Sequence, residues 1–285
     1  MVKVVAPPGA SVASIAGRGI SVTQALELSP GVVLRPSPPK HEAEVVAEGC
    51  ESLQEYAAIL SMTEFATFFI EVADEPGGSA LAARTWNSLW LFHLLALACK
   101  RPCDALYCWS GSSKIQFSLV TPHVVSREQP TSVLAAIEQL EWARTNIDSF
   151  HSLMSDPKFI TSLLSYTNSH HLFGYRPRIM QMWSGIESLF NVSSEISRTV
   201  ALYSSLMLEK ENVDARYACF KRIKKDYDAR SRVVHGGVSN ESALEEAYRR
   251  ASEILAALLA RCVELARVPT PEELDRVALY SYLRT

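Results

Sequence analysis

One stretch concentrates side chains that could do chemistry: Tyr227-Asp228-Ala229-Arg230-Ser231-Arg232-Val233-Val234-His235-Gly236-Gly237. Arginine offers a planar, permanently charged fork that holds two phosphate or carboxylate oxygens at once. Histidine gains or loses its proton near neutral pH. Four residues separate Arg230 from His235. At about 100° per residue they stand roughly 140° apart, so one straight helix cannot aim both at a small target. The glycine pair supplies an exit, because Gly236 or Gly237 can take the left-handed conformation that ends helices. His235 then falls in the last turn, where the backbone can swing and the helix dipole favours the imidazolium.

The same stretch closes a basic run. Residues 221–232 hold Lys221, Arg222, Lys224, Lys225, Arg230 and Arg232 against Asp226 and Asp228, a net +4. Such a field attracts anions, phosphates first among them. The plainer reading is a solvated helix face, with Asp226–Arg230 and Asp228–Arg232 as ordinary i,i+4 ion pairs and His235 as a helix-end cap. Spacing alone leaves both readings open.

The elements that must position these residues are mostly helical. Hydrophobic spacing predicts helices at 132–150, 157–170, 177–191, 194–210, 213–234 and 241–266. The stripe Ile179, Met182, Trp183, Ile186, Leu189 and Phe190 faces the core on one of them, and Leu206, Ile254, Leu258 and Cys262 are expected to be buried on others. Either Asn240 or a capping box at Ser242–Glu245 starts the 241–266 helix, and Thr270-Pro271 opens a short terminal one. Before Pro130 the chain mixes helix and strand. Strand-like pieces 20–22 and 32–34 flank a Ser29-Pro30-Gly31 turn. Further strands are expected at 65–72 and 115–119, and helices at 41–60 and 80–100. The fold class is therefore mainly α, with an N-terminal α/β region over 1–130 and a helical domain over 131–285.

Composition narrows the function. With 285 residues, 48% hydrophobic and 21% charged, the chain is neither disordered nor dependent on staples for its core. Residues 1–150 carry ten Lys+Arg against fifteen Asp+Glu, whereas 151–285 carry eighteen against sixteen, so positive charge gathers in the helical half. The longest apolar run, 89–99, is too short to span a bilayer, and Pro7-Pro8-Gly9 interrupts any signal-peptide core. Six cysteines make no disulfide framework, and a reduced cytoplasmic protein with no membrane partner is expected. No phosphate loop, dinucleotide fingerprint or nucleophile elbow occurs. Gly17-Arg18-Gly19 lacks the third glycine, and His41-Glu42 lacks the second histidine of a zinc-protease helix. Cys99, Cys103 and Cys108 with His93 lack paired metal spacing and read as buried small hydrophobes, and His170-His171 reads as a polar loop pair. No metal and no cofactor is expected.

The Arg-x4-His segment resembles the signature of the HEPN superfamily (higher eukaryotes and prokaryotes nucleotide-binding). The longer form Tyr-Asp-x-Arg-Ser-x-Val-Val-His-Gly is similar to its Apea-like branch, as is the upstream Trp183-x3-Glu187-x-Leu189-Phe190 helix. The resemblance covers about residues 150–266. It implies an up-and-down helical bundle, commonly a homodimer paired through the helical domain, and for many members a metal-independent endoribonuclease in toxin or antiviral defence systems, with a protein regulator. On that resemblance Arg230 and His235 are the catalytic pair. Glu187, Ser231, Tyr227 and Asp228 support them, and Lys221, Arg222, Lys224, Lys225 and Arg232 contact RNA. The chemistry would be attack of the 2′-hydroxyl on its own phosphate, with His as acid or base and Arg on the phosphate oxygens. The commonest motif has Asn, Asp or His after the arginine, where this chain has Ser231. The alternative is an inactive HEPN module that binds RNA or a partner protein.

Overall fold

The computed structural model describes residues 4, 6–75, 77–111, 114–120, 131–192, 194–210, 212–234 and 240–280. The chain divides into two compact units, Met1–Ile147 and Asp148–Thr285. Among the described residues no helix is long and apolar enough to cross a membrane.

The first unit is built on an antiparallel sheet. Its strands are β1 (Val12–Arg18), β3 (Leu26–Ser29), β4 (Val32–Pro36), β5 (Phe68–Ala73), β6 (Asp104–Ser110) and β7 (Gln116–Leu119), in the order β3-β4-β5-β1-β6-β7. The β3–β4 turn falls at the expected Ser29-Pro30-Gly31, with Gly31 at φ 72° as the third position of a type II turn requires, but its first strand is Leu26–Ser29 and not the expected 20–22. β5 alternates, with Phe68, Ile70 and Val72 buried. Helices α1 (Ala43–Gly49) and α2 (Leu53–Thr63) bring Val46, Ile59 and Met62 into a cluster with Tyr107, Trp109 and Phe117. Phe92 of α4 (Trp90–Cys99) packs 5.5 Å from Phe68. Helix α3 (Gly78–Ser88) completes this layer against β1 and β5. Across the β1–β6 pair, Arg18 and Asp104 form a buried ion pair at 2.9 Å.

Further expectations for this half need correction. The 80–100 helix is two helices, because the chain turns at Leu89 and the Leu89 N–H bonds Trp86 O, three residues back. The 41–60 helix is likewise broken, at Cys50 to Ser52, where the Ser52 hydroxyl accepts from Glu55 N and caps α2. Strands β1 and β6 were not expected at all. β6 is buried at every position and so shows no alternation, and β1 is rich in small residues. Gly17 of β1 has to be small, since a Cβ there would lie 2.4 Å from the Phe92 ring. Finally, the division falls at Ile147 and not near Pro130. The helix expected over 132–150 is also interrupted: two residues of β8 (Val133–Leu134) pair in parallel with β2 (Ile20–Ser21), and α5 (Ile137–Thr145) packs on α4 and β3. These contacts tie residues 131–147 to the sheet.

Among the described residues the second unit is helical: α6 (Ile147–Leu153, entering from the boundary), α7 (Pro157–Asn168), a 3-10 turn (Ser169–His171), α8 (Tyr175–Phe190), α9 (Ile196–Leu208), α10 (Val213–Val234), α11 (Glu241–Leu265) and α12 (Pro271–Tyr280). The predicted core residues Ile179, Met182, Ile186, Leu189, Leu206, Ile254, Leu258 and Cys262 are all buried. Gly185 lets α8 approach α7 and α11 closely; a Cβ there would meet Leu255 and Ser165 at 2.8 Å. Ser162 Oγ donates to Gly185 O at 2.7 Å in the same contact. The end signals act as expected. Asn240 Oδ1 accepts from Ser242 N at 3.0 Å and caps α11, and Thr270 and Glu273 exchange backbone-to-side-chain bonds in a capping box.

Candidate functional site

The apolar seam of α10 sets the site. Cys219, Ile223 and Tyr227 are buried at successive turns, and Arg230 follows one turn later on the same line. That line faces α8. The Tyr227 ring meets Trp183 edge-on at 5.1 Å, and its hydroxyl donates to Glu187 Oε1 at 2.8 Å. Arg230 reaches the same oxygen at 3.5 Å, with side chains only 26% and 24% exposed for Arg230 and Glu187. The Arg230 guanidinium also lies 5.4 Å from the centre of the Tyr227 ring. Its Nε is buried and has no hydrogen-bond partner among the described residues. Burial first, then the bond to Glu187, pushes the Tyr227 hydroxyl up to about 12. Glu187 therefore joins Tyr227 and Arg230, three of the expected site residues from two segments forty positions apart.

The other expected residues are not drawn in. Ser231, Asp228 and Arg232 are exposed, and Asp228 accepts from Ser197 Oγ at 3.1 Å. Lys221, Arg222, Lys224 and Lys225 are exposed as well. On an ideal helix Lys224, Lys225, Arg232 and Lys221 stand about 120° to 180° from Arg230. These four cations thus form an outer face of α10, Arg222 turns about 80° from Arg230 toward Asp226 and Arg250, and Arg230 belongs to the inner face. His235 lies outside the described residues. α10 is described as far as Val234, whose neighbour Val233 offers its carbonyl to Arg176 Nη1 at 2.6 Å. Arg176, from the first turn of α8, was not expected to hold the end of α10.

The ion pairs expected along α10 are replaced by tertiary ones. Asp226 pairs with Arg250 of α11 at 2.9 Å instead of with Arg230. Burial outweighs that partner and raises the Asp226 carboxyl above its ordinary value. A cleft of about 270 Å³ opens here, lined by Arg222, Asp226, Arg249, Arg250 and Glu253 among others. Its charges satisfy one another: Arg249 and Arg250 also bond Glu246, and Arg249 bonds Glu253. Arg222 donates to Cys219 Sγ at 3.6 Å and has no ion pair among the described residues.

In the first unit the cysteine set behaves as buried apolar matter. Burial pushes the Cys99 and Cys108 thiols up to about 11 and 12, and holds His93 down at about 4. His41 sits edge-on to Trp109 and Phe117 and is also lowered by burial. No family model, curated protein or solved structure matches the chain.

Proposed function

We propose that residues 148–280, the His235 segment included, form a HEPN-like module that cleaves RNA without a metal. The observation that carries this reading is the meeting of Glu187 with Tyr227 and Arg230. The two segments that resemble the Apea-like pattern are separate in sequence, and their distinctive side chains share one oxygen. In this reading Arg230 binds the scissile phosphate through the terminal guanidinium donors that Glu187 does not use. Glu187 and Tyr227 fix the guanidinium. His235 serves as acid or base, and a second copy of the chain, paired about a two-fold axis, supplies the other proton-transfer group. The products are a 2′,3′-cyclic phosphate and a 5′-hydroxyl.

A second reading, a module that binds RNA or a protein without cutting, draws on a different observation. Arg230 is three-quarters covered and already paired, and the exposed cations point the other way. One experiment separates the two. Purified full-length protein is incubated with total RNA in EDTA at pH 6 to 8, beside Arg230→Ala and His235→Ala. The cleavage reading expects cutting by the wild type, its loss in both variants, and unchanged far-UV circular dichroism. A wild type that binds RNA and never cuts it decides for the second reading.

A further inference from the structure

The outer face of α10 carries a feature that the Arg230 site does not use. Tyr217 is 59% exposed. Its ring is nearly parallel to that of half-buried Phe220, with 12° between the planes and 6.4 Å between centroids. The Lys221 ammonium sits 4.5 Å from the centre of the Tyr217 ring. At about 100° per residue, Phe220, Lys221, Lys224, Lys225 and Arg232 all fall within about 80° of Tyr217, and Arg230 falls about 140° away. The stripe from Tyr217 to Arg232 is about 22 Å long at the helical rise. Two acids share it, Asp214 and Asp228, and Asp228 is bonded to Ser197.

An exposed tyrosine backed by a half-buried phenylalanine, at one end of a row of cations, matches a polynucleotide whose bases are unpaired. Ring faces stack on free base faces, and ammonium and guanidinium groups follow the phosphates. A duplex hides its base faces and would engage only the cations. An acidic peptide would do the same. We infer that the outer face of α10, with Tyr217 and Phe220 as a stacking platform and Lys221, Lys224, Lys225 and Arg232 as the phosphate track, binds a single-stranded RNA segment at a place separate from Arg230 and Glu187. The choice of RNA rests on the function proposed above; the platform itself does not.

The test is fluorescence anisotropy of a short labelled RNA with full-length His235→Ala protein, which keeps the probe intact. Tyr217→Ala should weaken single-strand binding about tenfold and Tyr217→Phe should leave it nearly unchanged, because only the ring face matters. Lys221→Gln should lower the slope of log affinity against log salt by about one. Both positions are exposed, and circular dichroism checks that the variants fold. Equal affinity with and without the Tyr217 ring overturns the inference. So does a duplex of the same sequence, or a polyglutamate peptide, that binds as tightly as the single strand. The two readings fail separately. A protein that cuts RNA but ignores Tyr217 keeps the Arg230 site and loses the platform. Tyr217-dependent binding in a protein that never cuts does the reverse.

Discussion

Tyr227→Phe probes the junction of α8 and α10 at a single atom. The buried ring meets Trp183 edge-on, and Phe preserves that contact. Only the hydroxyl that donates to Glu187 Oε1 at 2.8 Å is removed. A hydrogen bond to an ionised group contributes about 1.5–3 kcal/mol. Glu187 retains Arg230 and is 24% exposed, so it recovers part of that loss from water. The expected cost is therefore near the low end, about 1.5 kcal/mol, or roughly tenfold in the folding equilibrium. The pH dependence has a definite sign. The folded hydroxyl titrates at about 12, pushed up by burial and by Glu187, whereas an unfolded tyrosine titrates near 10. Between those values the unfolded chain gives up a proton that the folded chain keeps. The stability from this group is complete below pH 10 and falls as pH rises toward 12. Phe lacks this loss, so the gap between the two proteins should narrow from pH 8 to pH 11. Urea unfolding followed by far-UV circular dichroism measures the gap. A double-mutant cycle with Glu187→Gln should show a coupling of about 1 kcal/mol, well above the additivity error for independent sites. An unchanged midpoint at pH 8, a widening gap, or additive effects of the two substitutions would refute the three-residue junction.

Two further outcomes follow from neighbouring contacts. Arg176→Met removes the donor on Val233 O and should raise hydrogen exchange in the last turn of α10, at a cost of about 1 kcal/mol, with Arg176→Lys restoring part of the protection. Asp226→Asn should change stability at pH 7 by less than about 1 kcal/mol, because burial already disfavours the carboxylate, whereas Arg250→Met strands that carboxylate and should cost about 2 kcal/mol. Since the Asp226 carboxyl is raised, its unfavourable contribution should fade as pH drops through its folded value toward 3.8, and urea midpoints of the wild type and Asp226→Asn should converge there.

The helices of the second unit are legible in the chain because each carries its own period and its own end signals. Ile179, Met182, Ile186 and Leu189 mark the buried stripe of α8, and Asn240 and Thr270 mark helix starts. The first unit is less legible. A strand covered on both faces, such as β6, has no apolar–polar alternation to read, and β1 spends its positions on Ala, Ser and Gly so that Phe68 and Phe92 can close over it. At the site, spacing along one helix predicts Asp226 with Arg230, but each finds its partner on another helix. An i,i+4 surface pair is worth only a few tenths of a kcal/mol, and a half-buried group gains more from a neighbour that also excludes water. Arg250 and Glu187 are those neighbours.

The charge of α10 makes the same point for function. Counted along the sequence, residues 221–232 are one basic patch with Arg230 inside it. Placed on a helix, they are two surfaces. Arg230 continues the buried line Cys219, Ile223, Tyr227, and wheel arithmetic on those apolar residues alone would have separated it from the lysines. On the function proposed above, a phosphate gripped by Arg230 and a strand lying on Tyr217 and Lys221 would be different contacts, made on faces about 140° or more apart. A single RNA can engage both only by bending around the helix or by reaching the Arg230 site of a second copy. Charge removal on the outer face should therefore weaken binding and its salt dependence while leaving any Arg230-dependent chemistry intact at saturating RNA. If Lys225→Gln instead lowers the turnover rate at saturation and leaves affinity alone, the two faces act as one site and the division drawn from the helix is wrong.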